Sequence, residues 1–369
     1  MYKRIYFLVV KELITVWKDK RSRLVLILPP LFQLFIFAFA ATLDVKNISI
    51  GILNKDYGKQ SYELVQRFQG SSYFSKVKYL DSEKEMKSYV DNQKAIMVVH
   101  IDQTFSRKIM ANETAEVQLV LDGRKSNTAQ IVQGYAQKII EQYVVDLTAK
   151  INQKKPPSLL IPRYWFNDNI IYLWFTVPGL VALLTMFTGL IVTSLSIARE
   201  RELGTFDQLL VSPLTSTDIL IGKAIPGIII GMAEGTMMLL AAIFVFQIPF
   251  TGSIILLYIS LFVFVCSIIG IGLFLSSLCK TQQQALLATF VFMATAVILS
   301  GFATPIENMP VWLQQVTYIN PLRFALVIVR GLFLKNFPLK DVINNLYPIV
   351  IVAVINLGIA GWFFRKRME

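Results

Sequence analysis

Long apolar runs almost free of charge alternate with short basic segments along most of this chain. Residues 2–20 place Tyr2, Ile5, Tyr6, Val9, Leu13, Val16 and Trp17 on one face at the 3.6-residue period, with Arg4, Lys11, Thr15 and Lys18 opposite. That pattern predicts an amphipathic helix, and its basic end at Lys18, Lys20, Arg21 and Arg23 suits residues 1–23 to a membrane surface. Residues 24–43 follow as a first apolar span. Ala38-Phe39-Ala40 resembles a signal cleavage site, but the patterned region before it and the length of the apolar stretch favour an uncleaved helix. Runs of about twenty apolar residues cross a bilayer core, and they predict further spans near 170–197, 224–246, 254–275, 285–303 and 346–364. Between the last two, residues 324–334 are apolar but too short to cross, flanked by Pro321, Arg323 and Lys335. A re-entrant segment within 305–335 is expected there.

Residues 44–169 are the one long polar stretch, and they read as alternating strands and helices. Extended segments are expected at 48–53, 77–80, 95–101 and 117–121, and helices at 62–68, near 105–110 and at 128–147. A further helix opens at Ser82, with Glu85 three residues on as a capping box. Ile131, Val132, Tyr135, Ile139, Tyr143 and Leu147 share one side of the 128–147 helix, enough for a compact α/β domain with its own core. Lys154-Lys155-Pro156-Pro157 then breaks the regularity, the two lysines reading as solvated linker. The fold class is thus an α-helical membrane protein of six transmembrane helices, a re-entrant segment, and an inserted extracytoplasmic α/β domain.

Composition agrees with this pattern. The chain is 54% hydrophobic and only 16% charged, against about 25% charged in soluble domains. Its net charge of +12 does not gather into one patch, which argues against a nucleic-acid partner and for membrane orientation. Lys3, Arg4, Lys11, Lys18, Lys20, Arg21 and Arg23 precede the first span, and Arg365, Lys366 and Arg367 form the tail 365–369 after the last. Six spans put both groups, with the loop 198–223, on the cytoplasmic side of a plasma or bacterial inner membrane. The outer domain carries its own surplus of basic residues, but long translocated domains escape that rule. Cys266 and Cys279 share one apolar segment and cannot staple the polar insert. His100 ends an expected strand with no second His or Cys nearby, so no metal site is expected. Asn47-x-Ser49 and Asn112-x-Thr114 fit a glycosylation pattern that matters only in a eukaryotic secretory setting.

The loop after the second span reads Arg199-Glu200-Arg201-Glu202-Leu203-Gly204-Thr205-Phe206-Asp207-Gln208-Leu209-Leu210, then Ser212-Pro213. It continues that span, breaks at Gly204 and restarts as a short helix with Phe206, Leu209 and Leu210 on one face. Pro213 ends it, and a second short helix near 217–222 leads to the third span. Such a helix below the membrane is shaped either to be pushed by a soluble partner or simply to anchor the loop. This loop, with Gly222-Lys223 and Pro226 after it, resembles the signature of type-2 ABC exporter permeases. Leu121-Asp122-Gly123 with Asn127-Thr128-Ala129 is similar to the end of that family's outer domain. Pro305, Met309-Pro310, Trp312-Leu313, Asn320-Pro321 and Arg330-Gly331 resemble its re-entrant segment. The resemblance covers essentially the whole chain.

It implies that Glu200, Glu202, Gly204, Thr205, Phe206, Leu209 and Leu210 contact a separate nucleotide-binding subunit, and that residues 1–23 are a connecting helix packed on the same subunit. It implies ATP with Mg on that partner and no cofactor here, since the chain offers no G-x-x-x-x-G-K-[ST] loop. It also implies a second permease copy or paralogue, membrane lipids around the spans, and a periplasmic adaptor where the cell has two membranes. Amphipathic, drug-like or lipid-like cargo follows by class.

Within the spans Glu234 is the acidic residue that stands out, suited either to a polar contact on the transport path or to a hydrogen bond with a neighbouring helix. Gly227, Gly231 and Gly235 repeat at four-residue spacing and allow close helix approach. Ser300 and Phe302, at the outer end of the fifth span, are a candidate gate on the strength of the resemblance. Competing classes are weaker. A receptor with an outer ligand-binding domain would lack room for a cytoplasmic signalling domain. An intramembrane enzyme would need paired acids, a metal cluster or a Ser/Lys arrangement that the spans do not offer. A secondary transporter would need internal repeats and helices broken near the midplane.

Overall fold

The computed structural model describes residues 2–18, 20–39, 48–152, 166–167, 171–212 and 214–368. Expectations placed on 40–47, 153–165, 168–170 and Pro213, including Asn47, the Lys154-Lys155 linker and the end of the first span, lie outside these residues. The chain divides into two compact units, residues 43–163 and residues 1–42 with 164–369. The second unit opens with helix α1 (Tyr2–Lys18) and helix α2 (Lys20–Phe39).

The smaller unit follows the strand and helix order expected from its alternating pattern. Its elements are β1 (Ile48–Asn54), α3 (Lys59–Gln69), β2 (Phe74–Tyr79), α4 (Glu83–Asp91), β3 (Met97–Ile101), α5 (Phe105–Met110), β4 (Val117–Leu121) and α6 (Ser126–Asn152). The sheet order is β2-β1-β3-β4, with β1 parallel to both β2 and β3, and β4 antiparallel to β3. Ile48, Ile50 and Ile52 alternate onto one face, where they meet Leu64 and Phe68 of α3 and Val132 and Tyr143 of α6. Leu53 and Val98 turn to the other face and pack under α4. β3 is mostly apolar and buried on both faces, with His100 the one partly exposed residue of the strand. The capping box expected at α4 is only half formed. The Ser82 hydroxyl accepts from the Glu85 amide at 3.2 Å, but the Glu85 carboxylate reaches Asp81 N–H rather than Ser82.

The larger unit continues with α7 (Tyr172–Glu202), α8 (Phe206–Val211), α9 (Ser216–Leu240, followed by a π turn at Ala241–Val245), α10 (Ile254–Leu278), α11 (Gln282–Ile298), α12 (Val311–Val316), α13 (Pro321–Leu334) and α14 (Leu339–Met368). Four helices among the described residues are long and apolar enough to cross a membrane: α7, α9 with its π turn, α10 and α14. Leu26–Phe39 and α11 are apolar but shorter. The pair Val311–Ile319 and Pro321–Leu334 is bent by 81°. Asn320 makes that corner. Its Oδ1 accepts from Leu322 N–H at 3.1 Å, Pro321 takes the first helical position, and its Nδ2 donates to the Ala296 carbonyl of α11 at 2.7 Å.

α7 is the hub, with 72% of its apolar window buried against 17% for α14. At 31 residues it is about 46 Å long, longer than a bilayer core of about 30 Å, so its end projects beyond the apolar layer. The separate helix expected near 217–222 is instead the first turns of a continuous α9. Thr215 and Asp218 form a full capping box that starts it. Neither Gly222 nor Pro226 breaks it, because both are buried against neighbouring helices.

Candidate functional site

The end of α7 closes in a Schellman motif that sets the loop's direction. Gly204 N–H donates to the Arg201 carbonyl at 3.2 Å and Thr205 N–H to the Glu200 carbonyl at 3.0 Å. Gly204 has φ +70°, and a β-carbon there would meet nothing within 4 Å, so the need for glycine is conformational. The Thr205 hydroxyl adds a second bond to the Glu200 carbonyl, and α8 starts at the next residue.

Four side chains of this loop, those of Glu200, Arg201, Glu202 and Phe206, reach neighbouring helices. Glu200 is buried, and its Oε1 takes Lys11 Nζ of α1 at 2.8 Å and Lys223 Nζ of α9 at 3.4 Å. Lys223 is 2% exposed and also reaches Glu12 Oε1 at 3.0 Å and the Ser196 hydroxyl and carbonyl at 3.2 and 3.3 Å. Two cations and two anions thus pin α1, α7 and α9 together. Leu8 packs so closely on Gly222 that a β-carbon there would lie 2.3 Å from its Cδ2. Arg201 donates to the Ser277 and Cys279 carbonyls at the end of α10, at 2.8 and 3.2 Å. Its guanidinium sits 4.8 Å from the Phe206 ring centre. Phe206 is buried and meets Phe364 of α14 edge-on at 6.3 Å. Glu202 accepts from Gln282 N–H at 2.7 Å, at the start of α11. The loop is therefore tied to α1, α9, α10, α11 and α14.

Glu200 and Phe206 face inward, while Glu202 and Gly204 lie at the surface. Leu209 and Leu210 sit on α8, with their side chains outside the description. Sequence reasoning missed two exposed apolar side chains of the loop, Leu203 at 62% and Val211 at 88% exposure. Their signal was present as apolar residues flanking a glycine turn. Glu12 as the partner of Lys223, 211 positions away, left no local pattern.

Within the helices Glu234 is buried, and its Oε1 has no hydrogen-bond partner among the described residues. The glycine stripe of α9 faces two helices. β-carbons at Gly227 and Gly235 would meet Thr193 and Thr185 of α7, and one at Gly231 would meet Val265 of α10. Past the end of α11 the Ser300 hydroxyl donates to the Val297 carbonyl and accepts from Phe302 N–H, with Gly301 at φ +83° between them. A cavity of about 390 Å³ opens between α10, α11, the bent pair and α14, lined by Phe274, Phe292, Leu299, Ile319, Asn320 and Asn356. Its lining is mostly apolar, with Asn320 and Asn356 as polar points, which suits it to a largely apolar occupant. Among the described residues no group of three or more His, Cys, Asp or Glu could hold a metal.

Residues 20–362 match the family described as ABC-2 family transporter protein. Over 369 residues, all of both chains, the sequence is 45% identical to the "Probable multidrug ABC transporter permease YbhR" of Escherichia coli strain K12. It is 32% identical to that strain's "Probable multidrug ABC transporter permease YbhS", over all of this chain and 98% of the relative. It is also 24% identical to the "Inner membrane transport permease YhhJ" of the same strain, over 99% and 98%.

Proposed function

Since the chain belongs to the ABC-2 family of transporter proteins and is a multi-pass ABC permease subunit, we propose that it forms one half of an ATP-driven exporter, energised by a separate nucleotide-binding subunit. One observation carries this reading. The loop after α7 turns Leu203 and Val211 outward, while Glu200, Arg201, Glu202 and Phe206 grip five helices. A partner pressing on that surface would move the bundle as a unit.

ATP and Mg belong to the partner, because this chain has no phosphate-cradling loop. A dimer with a second copy or with a paralogue is supported by two full-length relatives from one bacterial strain. Both termini and the loop face the cytoplasm in this reading, by the positive-inside rule, and six crossings result if α2 and α11 each span. The cargo is amphipathic, drug-like or lipid-like, which accords with the apolar cavity and with the relatives' names. In a cell with two membranes, residues 48–152 form the surface a periplasmic adaptor would meet. Glu234 is the polar contact on the path, and Ser300 with Phe302 gates its outer end.

The test is ATP-driven efflux of an amphipathic dye from vesicles holding the permease and its ATPase. Wild type exports, and Glu234→Gln exports at a rate lowered at least about tenfold at equal abundance, as expected when a membrane-buried carboxylate serves the path. Normal export by Glu234→Gln removes Glu234 from the mechanism, and absence of export by wild type overturns the exporter reading.

A further inference from the structure

Helix α13 carries two arginines seven positions apart on one face, and their surroundings differ. Arg323 donates to the Gln314 carbonyl at 3.4 Å and to the Thr317 hydroxyl, and lies 4.1 Å from the centre of the Tyr318 ring. Arg330 has neither a carboxylate nor a hydrogen-bond acceptor among the described residues, and its Nε and Nη2 are sealed from solvent without a partner. Instead its guanidinium stacks 3.9 Å from the centre of the Phe175 ring and lies 5.8 Å from that of Phe302. Gly179 makes the room. A β-carbon there would lie 2.9 Å from the Phe302 ring and 3.1 Å from Arg330 Nη2.

Aromatic faces attract a cation, but they leave its in-plane N–H donors unfilled. A guanidinium does not lose its proton, and an unpaired charge among apolar helices is strongly unfavourable. The fork of donors matches an oxyanion, which it binds through two parallel hydrogen bonds. Phe175 is half exposed beside it and offers apolar surface to whatever carries that group.

We propose that Arg330, cradled by Phe175, Gly179 and Phe302, binds the oxyanion head group, phosphate or carboxylate, of an amphiphile at the end of the bundle where α7 begins. Whether that amphiphile is cargo rests on the exporter reading above. Oxyanion binding itself does not, so the two are tested apart.

The experiment is thermal unfolding of the full-length protein in neutral detergent, titrated with phosphatidylglycerol, phosphatidylcholine or inorganic phosphate. Wild type, Arg330→Gln, Arg330→Lys and Gly179→Ala are compared. The basic residues before α2 attract the same anionic lipid, so the readout is the difference between wild type and variant. Phosphatidylglycerol raises the wild-type Tm by at least about 2 °C more than that of Arg330→Gln, and phosphatidylcholine produces no such difference. Arg330→Lys keeps part of the shift, since a point charge replaces the fork. Gly179→Ala, which crowds the guanidinium while leaving its charge, loses most of it and serves if Arg330→Gln does not fold. An equal shift with inorganic phosphate assigns the site to the free oxyanion, and a shift with the lipid alone assigns it to the amphiphile. Loss of the lipid shift with unimpaired ATP-driven efflux leaves the site standing and removes it from transport. Equal lipid shifts in wild type, Arg330→Gln and Gly179→Ala overturn the proposal. So does a wild-type Tm that rises with protein concentration but not with lipid, which would give Arg330 to a contact between copies.

Discussion

Gly204 and Lys223 hold the loop after α7 in different ways, one by conformation and one by charge. Gly204→Ala forces a residue with a side chain into the left-handed region with no clash to relieve, and should destabilise the protein by about 1 kcal/mol. A chemical-denaturation midpoint unchanged by that substitution would show that the turn can reform elsewhere. Lys223→Met leaves Glu12 without its cation in a nearly closed site, and should cost about 3 kcal/mol. Pairing it with Glu12→Gln should recover part of that loss, and thermal melting of the single and double variants measures the difference. The acidic residues of this loop were legible in the sequence, but their directions were not. Glu200 and Glu202 are two positions apart on one helix end, yet one is sealed against two lysines and the other caps α11. Only tertiary packing separates them.

Elements were more legible than residues wherever the pattern was local. β4 follows from a short apolar run bounded by polar turns, and the 81° bend at Asn320-Pro321 falls within 305–335, where a re-entrant segment was expected. The continuous start of α9 was hidden because residues 217–222 read as a separate short helix before the span, whereas packing on neighbouring helices carries them into one helix with it. The junction between α3 and α5 was equally hidden. There Asp56 accepts from Gly58 N–H and from the Ser106 amide and hydroxyl. Partial burial works to raise its pKa, but these hydrogen bonds and one involving Ser61 outweigh it and hold the carboxyl below its usual value of 3.8. A depressed folded pKa stabilises above the unfolded value and is lost as pH falls through the folded one. Amides of α3 and α5 in the intact chain should therefore lose protection below about pH 4, after correction for intrinsic exchange, and Asp56→Asn should remove that dependence. An unchanged pH profile in the variant would assign the acid sensitivity to other carboxylates.

At the scale of the molecule, charge pattern and apolar length were enough to separate a membrane bundle from an inserted α/β domain. They did not decide how many helices cross, because α11 and the described part of α2 are shorter than the other apolar helices. The bundle is organised so that one surface loop touches five helices, and among its described side chains the exposed apolar ones are Leu203 and Val211. If a nucleotide-binding subunit drives this permease, that is where it grips. The most direct measurement is co-purification of the ATPase with the detergent-solubilised permease, comparing wild type with Val211→Asp and Gly204→Pro. Retention by wild type, with loss in both variants at unchanged folding, is the result expected here. Failure of any ATPase to co-purify, or equal retention by all three, would contradict it and return the outer domain to consideration as a ligand receptor.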